Sequence, residues 1–484
     1  MGKLKRLAGD TVIYGTSTIL GRLLNWLLMP FYTRLLPMEE YGVVSNLYAY
    51  ISYFLILLTF GFETGFFRFA KERNSNIVLK TLGTSIAGWS FLFIGLIWVF
   101  KSHIQSGLGE DLITEEFILY TAIIVAFDAL ISIPFADLRF RRQSKAYAGL
   151  RFLQVVITVF FNVFFLVICP WFVSRGIDVP DFIYSEVNQV KYVFISNIIS
   201  SGIVVIILSP LLFKGKFKFD SGLLKDTIRY SYPIVIVGLF GMVIQNIEKI
   251  LMPYLLEDGL KQLAIYSANF KIGVLMALFI QSFRLAFEPF FFKEDRDKAS
   301  KVLYGRILKY FVIFGMIIFV GILQFMDVIN LLFPFQYQKG NSIIPFILLG
   351  QLMFGVYYSL SLWYKLTDKT HYGAFISGFG ALVVIIGNLL AVPVFGYIGA
   401  AVSSFIAFTL MAVSSYIIGQ KHYYIPYPVR GILKHVSIGI VVVIISQLVI
   451  QGDNLFHIVL KGTIFACYLG IVYFLEKKEF KTFI

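Results

Sequence analysis

The ionisable side chains most clearly internal to stretches of this sequence apolar enough to cross a bilayer include Arg22, Glu63, Asp128, Glu248, Lys249, Lys271, Arg284 and Glu288. A charge near the bilayer centre is disfavoured by roughly 2.5–3.5 kcal/mol on insertion scales, so by default it marks a pathway or cavity and not a lipid-facing surface. The cations have a definite chemistry available. A guanidinium or ammonium partly removed from water holds phosphate oxygens through charge-assisted hydrogen bonds, and arginine does so bidentately. By position Arg22 is near the middle of its segment, Lys249 and Lys271 lie toward one leaflet and Arg284 toward the other, which together would make a ladder of positive charge through the membrane.

Each of these residues also has a plainer role open to it. Arg284 and Glu288 are spaced i, i+4 and can pair with each other. Glu63 and Glu288 fall at the same place in an internal repeat and can act as pins to basic partners at a gate. Glu248 can neutralise a nearby base, and Asp128 either bonds a polar neighbour on another helix or serves in proton or ion coupling. Trp26, one turn from Arg22, can stack on a sugar or face lipid. No HExxH, GxSxG, P-loop or Cys/His cluster occurs, so nothing points to metal, nucleotide or nucleophilic catalysis, and no cofactor is implied. Cys169 and Cys467 read as packing residues in apolar spans.

The elements that must position these charges are membrane helices. With 58% hydrophobic and 14% charged residues, the 484-residue chain has far more apolar sequence than one water-soluble core could use. Spans are expected at 11–35, 41–66, 79–100, 113–137, 147–172, 191–213, 228–256, 263–291, 303–326, 342–364, 371–394, 398–419, 434–451 and 455–475. Fourteen helices result. Apart from Arg34, Lys101, Arg175, Lys191, Lys261 and Lys339, the basic residues of the connections fall on one side, which assigns that side and both termini to the cytoplasm. The same alternation accounts for the net charge of +14, and no basic face for nucleic acid is indicated.

The first hairpin, Arg22 to Arg68, recurs. Met29-Pro30 returns as Met252-Pro253, and the run from Phe62-Glu63 to Arg68 returns as Phe287-Glu288 to Lys293. Tyr147, Asn162 and Pro170 recur as Tyr372, Asn388 and Pro393, about 225 positions on. An even number of spans per repeat makes the two halves parallel, with an axis along the membrane normal. The expected organisation is an all-α membrane protein: an N-lobe over 1–214, a C-lobe over 215–420 that repeats it across a central cleft, and two further helices over 421–484.

The Arg22–Gly42 segment, with Arg34-Leu35-Leu36 shortly before Tyr41-Gly42, followed by Phe62-Glu63 and the basic Arg68, resembles the opening of bacterial polysaccharide biosynthesis proteins. These are the lipid-linked oligosaccharide flippases, O-antigen type included, of the multidrug/oligosaccharidyl-lipid/polysaccharide exporter superfamily. The resemblance covers essentially the whole chain, including the second-half segment Ala264–Asn269. It implies a cavity lined by the first two helices of each half. Basic residues there would meet a polyprenyl-diphosphate-linked oligosaccharide, a unit of O-antigen, lipopolysaccharide, capsule or another surface glycan.

On that reading Arg22, Trp26, Lys249, Lys271 and Arg284 bind substrate. Arg34, Glu63, Arg68, Glu248, Glu288 and Lys293 are gate or structural charges, and Asp128 is a coupling candidate. The setting is the bacterial inner membrane, with a polysaccharide polymerase and glycosyltransferases as partners; whether H+ or Na+ drives the cycle stays open. The rivals are a multidrug antiporter of the same superfamily, a flippase for another lipid-linked precursor, and a membrane glycosyltransferase or polymerase. An antiporter for cationic drugs should carry a carboxylate in the middle of its first helix, which this chain lacks beyond Asp10. A glycosyltransferase has only Glu39-Glu40 to draw on.

Overall fold

The computed structural model describes residues 26–109, 112–213, 218–291, 298–367, 369–450, 452 and 454–480. Among them there is no β-strand. Twelve helices are long and apolar enough to cross a membrane, or thirteen if a bent pair counts as one span. Of the first expected span, 26–35 are helical and the remainder, with Arg22, lies outside the described residues. The chain forms two compact units, Met1–Ser267 and Ala268–Ile484.

In the first unit α1 (26–35) precedes α2 (Met38–Thr59), α3 (Phe62–Glu72), α4 (Ser75–Leu108) and α5 (Glu115–Phe140). Then come α6 (Ser144–Val163), a π-helical turn (Phe164–Ile168), α7 (Cys169–Ser174), α8 (Lys191–Phe213) and α9 (Ser221–Leu255). Helix starts follow capping chemistry: Asn74, Thr114 and Asp220 each turn a side-chain oxygen to a backbone N–H of α4, α5 and α9, respectively. The span expected as one helix over 41–66 is instead two. Phe60 and Gly61 both take left-handed backbone angles, φ 47° and 64°, and separate α2 from α3. Glycine adopts that conformation freely and phenylalanine does not, so the single glycine marked the spot only weakly.

Close helix contacts explain two of the glycines in the repeated hairpin. A side chain at Gly42 would run into the carbonyl of Leu260, and one at Gly65 would run into Thr227 of α9. The Tyr41-Gly42 pair is therefore where α2 meets the start of α10 (Gly259–Ile272), a helix that begins in the first unit and ends in the second.

The second unit continues with α11 (Val274–Phe291), which bends 42° from α10 where one straight helix over 263–291 is expected. Gly273 sits at the break, where a Cβ would meet Ile347 and the Phe270 carbonyl. Next are α12 (Lys298–Gln324), the short α13 (Met326–Asn330) and α14 (Phe335–Gln338), then α15 (Ile344–Leu360) and α16 (Leu362–Leu366). The unit closes with α17 (His371–Phe395), α18 (Tyr397–His422), α19 (Val429–Val449) and α20 (Leu455–Phe480). Lys309 is buried within α12. Its Nζ lies 2.8 Å from Glu476 Oε2 and 3.1 Å from Glu479 Oε2, while His435 Nε2 lies 2.9 Å from Glu476 Oε1. This knot ties α19 and α20 to α12.

Candidate functional site

The repeated proline of the second half builds the first part of the site. Pro253 in α9 has no N–H to give to the carbonyl four residues earlier, which belongs to Lys249. A carbonyl left so inside an apolar span needs a donor from elsewhere. Asn46 of α2, almost wholly buried, supplies it: its Nδ2 donates to Lys249 O at 2.7 Å. One turn on along α2, Tyr50 OH lies 3.1 Å from Tyr254 OH, and Tyr53 OH donates to Met242 O at 3.1 Å. Polar side chains of α2 thus hold α9 at the level of Glu248 and Lys249. Lys249 is half-buried and its Nζ donates to Asn246 Oδ1 at 2.8 Å. Glu248 is 1% exposed and accepts a bond from Tyr266 OH of α10 at 3.2 Å.

A second polar region occupies the helices around Asp128. Ser201 Oγ donates to Asp128 Oδ1 at 2.8 Å, and Gln154 Nε2 donates to Ser201 Oγ at 3.1 Å. Arg151 Nη1 bonds Gln154 Oε1 at 3.3 Å, and Asn197 beside Ser201 donates to Tyr48 OH at 2.7 Å. Further along α6, Thr158 Oγ1 bonds Ser200 Oγ at 2.8 Å, and Tyr32 of α1 donates to Asn162 Oδ1 at 2.9 Å. Asp128 therefore bonds a polar neighbour on another helix, Ser201 of α8.

The lower end of the hairpin is ionic. Glu63 at the start of α3 pairs with Arg139 at the end of α5. Arg68 is exposed, with its guanidinium 4.4 Å from the ring centre of Tyr230 in α9. Arg73, just past α3, reaches Asp220 at 3.2 Å and Asp226 at 2.9 Å. At the other end of the hairpin Arg34 is exposed and Trp26 half-buried.

In the second unit Arg284 lies on α11 with its guanidinium 4.2 Å from the ring centre of Tyr358. Lys365 approaches the same ring at 4.5 Å and donates to Tyr358 OH at 3.2 Å. Lys271 is half-buried in the last turn of α10, two residues before the break. The side chain of Glu288 and all of Lys293 lie outside the described residues, as does Arg22. Of the predicted ligands, then, Lys249 belongs to the first unit and Lys271 and Arg284 to the second. The residues that sequence reasoning missed are Asn46, Tyr53, Tyr266, Tyr358 and Lys365. Asn46 had a signal, because Pro253 announces a carbonyl in want of a donor, and Tyr266 lies in the segment Ala264–Asn269 that carries the family resemblance. Among the described residues no group of three or more His, Cys, Asp or Glu side chains could hold a metal ion.

At least twelve apolar spans with polar clusters between them define a polytopic α-helical membrane protein. Residues 7–294 match the family described as polysaccharide biosynthesis protein, and the chain belongs to that family. A Haemophilus influenzae protein of the Lsg locus is 22% identical over 301 residues, 60% of this chain and 67% of that protein. The fold is similar to that of the lipid II flippase MurJ in an inward-closed conformation, with TM-score 0.74 and 16% identity over 97% of this chain and 99% of MurJ. It is also similar to an inward-facing MATE-family multidrug resistance transporter of the MOP superfamily, with TM-score 0.62 and 13% identity over 83% of this chain and 94% of that one. These likenesses establish a MurJ/MATE-like fold.

Proposed function

We propose that this protein is a flippase carrying a polyprenyl-diphosphate-linked oligosaccharide from the inner to the outer leaflet of the bacterial cytoplasmic membrane, with both termini in the cytoplasm. The observation that carries this reading is the family match over 7–294, supported by a fold likeness to a lipid II flippase over nearly the whole of both chains. In this reading the lobes over 1–214 and 215–420 alternate in access to a cleft, and the helices of 421–484 are an appendage. Arg22, Lys249, Lys271 and Arg284 hold the diphosphate, with Trp26 against the sugar. Arg34, Glu63, Arg68, Glu248, Glu288 and Lys293 are gate or structural charges, and Asp128 is a coupling candidate. The isoprenoid tail stays in lipid while the headgroup crosses.

The glycan belongs to a surface polysaccharide of the O-antigen, lipopolysaccharide or capsule kind, made by glycosyltransferases before the flip and extended by a polymerase after it. The test is a deletion strain whose lipid extract is analysed by mass spectrometry. A lipid-linked diphosphate oligosaccharide should accumulate, and its mass names the sugar. An unchanged lipid profile with increased sensitivity to cationic drugs would favour the antiporter reading instead.

A further inference from the structure

The hairpin's second span touches α9 on both sides of the break at Phe60-Gly61, and the two seams are built differently. Before the break α2 is fastened: Asn46 donates to the Lys249 carbonyl, Tyr53 OH donates to the Met242 carbonyl, and Tyr50 OH lies 3.1 Å from Tyr254 OH. After the break α3 meets α9 through small residues and water-reachable charges. Gly65 lies against Thr227, Ser231 Oγ donates to the Gly61 carbonyl at 3.3 Å, and Arg68 and Phe69 lie against the ring of Tyr230. At the start of α9 the Asp220 N–H donates to Thr81 Oγ1 of α4. Arg73 reaches Asp220 and Asp226 there, and these three side chains are 40–52% exposed.

The opposite side of α3 is packed with large rings. Phe62 and Phe66 are both 0% exposed; Phe62 packs on Trp89 of α4 with ring centres 5.2 Å apart, and Phe66 on Phe140 at the end of α5 at 5.9 Å. Glu63 adds its pair with Arg139 of α5. Buried rings hold helices together through the apolar area they take from water, whereas exposed ion pairs contribute little. The weaker seam of α3 is therefore the one against α9. When that seam opens, α3 goes with α4 and α5, and the chain bends where α2 is still held. Phe60 and Gly61, at φ 47° and 64°, interrupt the helix at that point, and hinge motions are absorbed at such element-terminal residues.

We propose that α3 is a hinged leaf: it swings away from α9 about Phe60-Gly61 while α2 stays fastened to α9, and Arg73 is the latch that holds it shut on Asp220 and Asp226. Its role as an inner gate rests on the transport reading above, in which α3 ends at the cytoplasm and α9 begins the second lobe; the hinge itself is tested without that reading. Spin labels are placed on the full chain in lipid bilayers, with Cys169→Ala and Cys467→Ala as background. The pair Lys71→Cys and Lys225→Cys reports α3 against α9, and the pair Glu39→Cys and Glu257→Cys reports α2 against α9. The first pair should give a short and a long distance, the long one enriched several-fold by Arg73→Ala and, independently, by Asp226→Asn, with the second pair's distance unchanged. A single unchanging distance for the first pair in the wild type and both variants, or a second pair that lengthens in step with the first, would overturn the proposal. For the gate role, Arg73→Cys and Asp226→Cys joined by a short cleavable thiol cross-linker should stop a fluorescent polyprenyl-diphosphate saccharide from crossing in proteoliposomes, and cleavage should restore it. Two distances with no crossing by the wild type would leave the hinge standing and remove the flippase reading; crossing at the wild-type rate through the fully cross-linked chain would overturn the gate.

Discussion

Two glutamates are buried to nearly the same degree in helices of the two units and are treated oppositely by their surroundings. Glu476, 3% exposed, has a partner for each oxygen: Lys309 on Oε2 and His435 on Oε1. Glu248, 1% exposed, has Tyr266 on one oxygen and, among the described residues, no hydrogen-bond partner on the other. A charge paired on both sides is locked, because removing either partner strands the other in a dry interior. Burial alone therefore does not say how firmly a carboxylate is held; the count of satisfied oxygens does.

The contrast can be broken by mutation. Glu476→Ala takes the carboxylate from His435 and leaves Lys309 only the half-exposed Glu479, and should cost about 3 kcal/mol, the lower end of the penalty for breaking a buried ion pair. A thermal unfolding curve in detergent should show a large fall in midpoint. Asn46→Ala should cost less, about 1–3 kcal/mol, because the carbonyl released by Pro253 is left without a donor. The same variant should perturb Lys249 and slow transport. Arg73→Ala removes two ion pairs whose side chains are 40–52% exposed, so its stability change should stay below about 1 kcal/mol. A marked transport defect with so small a stability change would identify Arg73 as part of a gate between α3 and α9. Glu248→Gln sharpens the comparison from the other side: its unfolding midpoint should match the wild type, and a fall as large as that of Glu476→Ala would place Glu248 with the structural carboxylates.

What was legible in the sequence was whatever repeats locally. The apolar blocks announced the spans, and the hairpin residues a family that the match over 7–294 establishes. Glu63 was expected to find a basic partner and finds Arg139. Contacts made across the fold were not legible. Nothing local points to the pairing of Lys309, because its partner Glu476 is 167 residues away. Bends escaped for a related reason. Phe60-Gly61 and Gly273 lie in mostly apolar runs without a proline, so only a glycine announces either break, and glycine alone is a weak signal. The repeated asparagines show the limit clearly. Asn162 and Asn388 each donate to the carbonyl four residues earlier, as their shared pattern would suggest, but Asn162 alone also receives Tyr32.

The central claim is that a lipid-linked diphosphate saccharide crosses the bilayer through this protein on a path of positive charge. It is tested most directly in proteoliposomes loaded with a fluorescent polyprenyl-diphosphate saccharide, by adding a membrane-impermeant quencher from outside. With the wild type the inner-leaflet pool should become quenchable. An equally well inserted variant carrying Arg22→Ala and Lys271→Ala should leave that pool protected. Protection in both, or quenching by the double variant at the wild-type rate, would contradict the account.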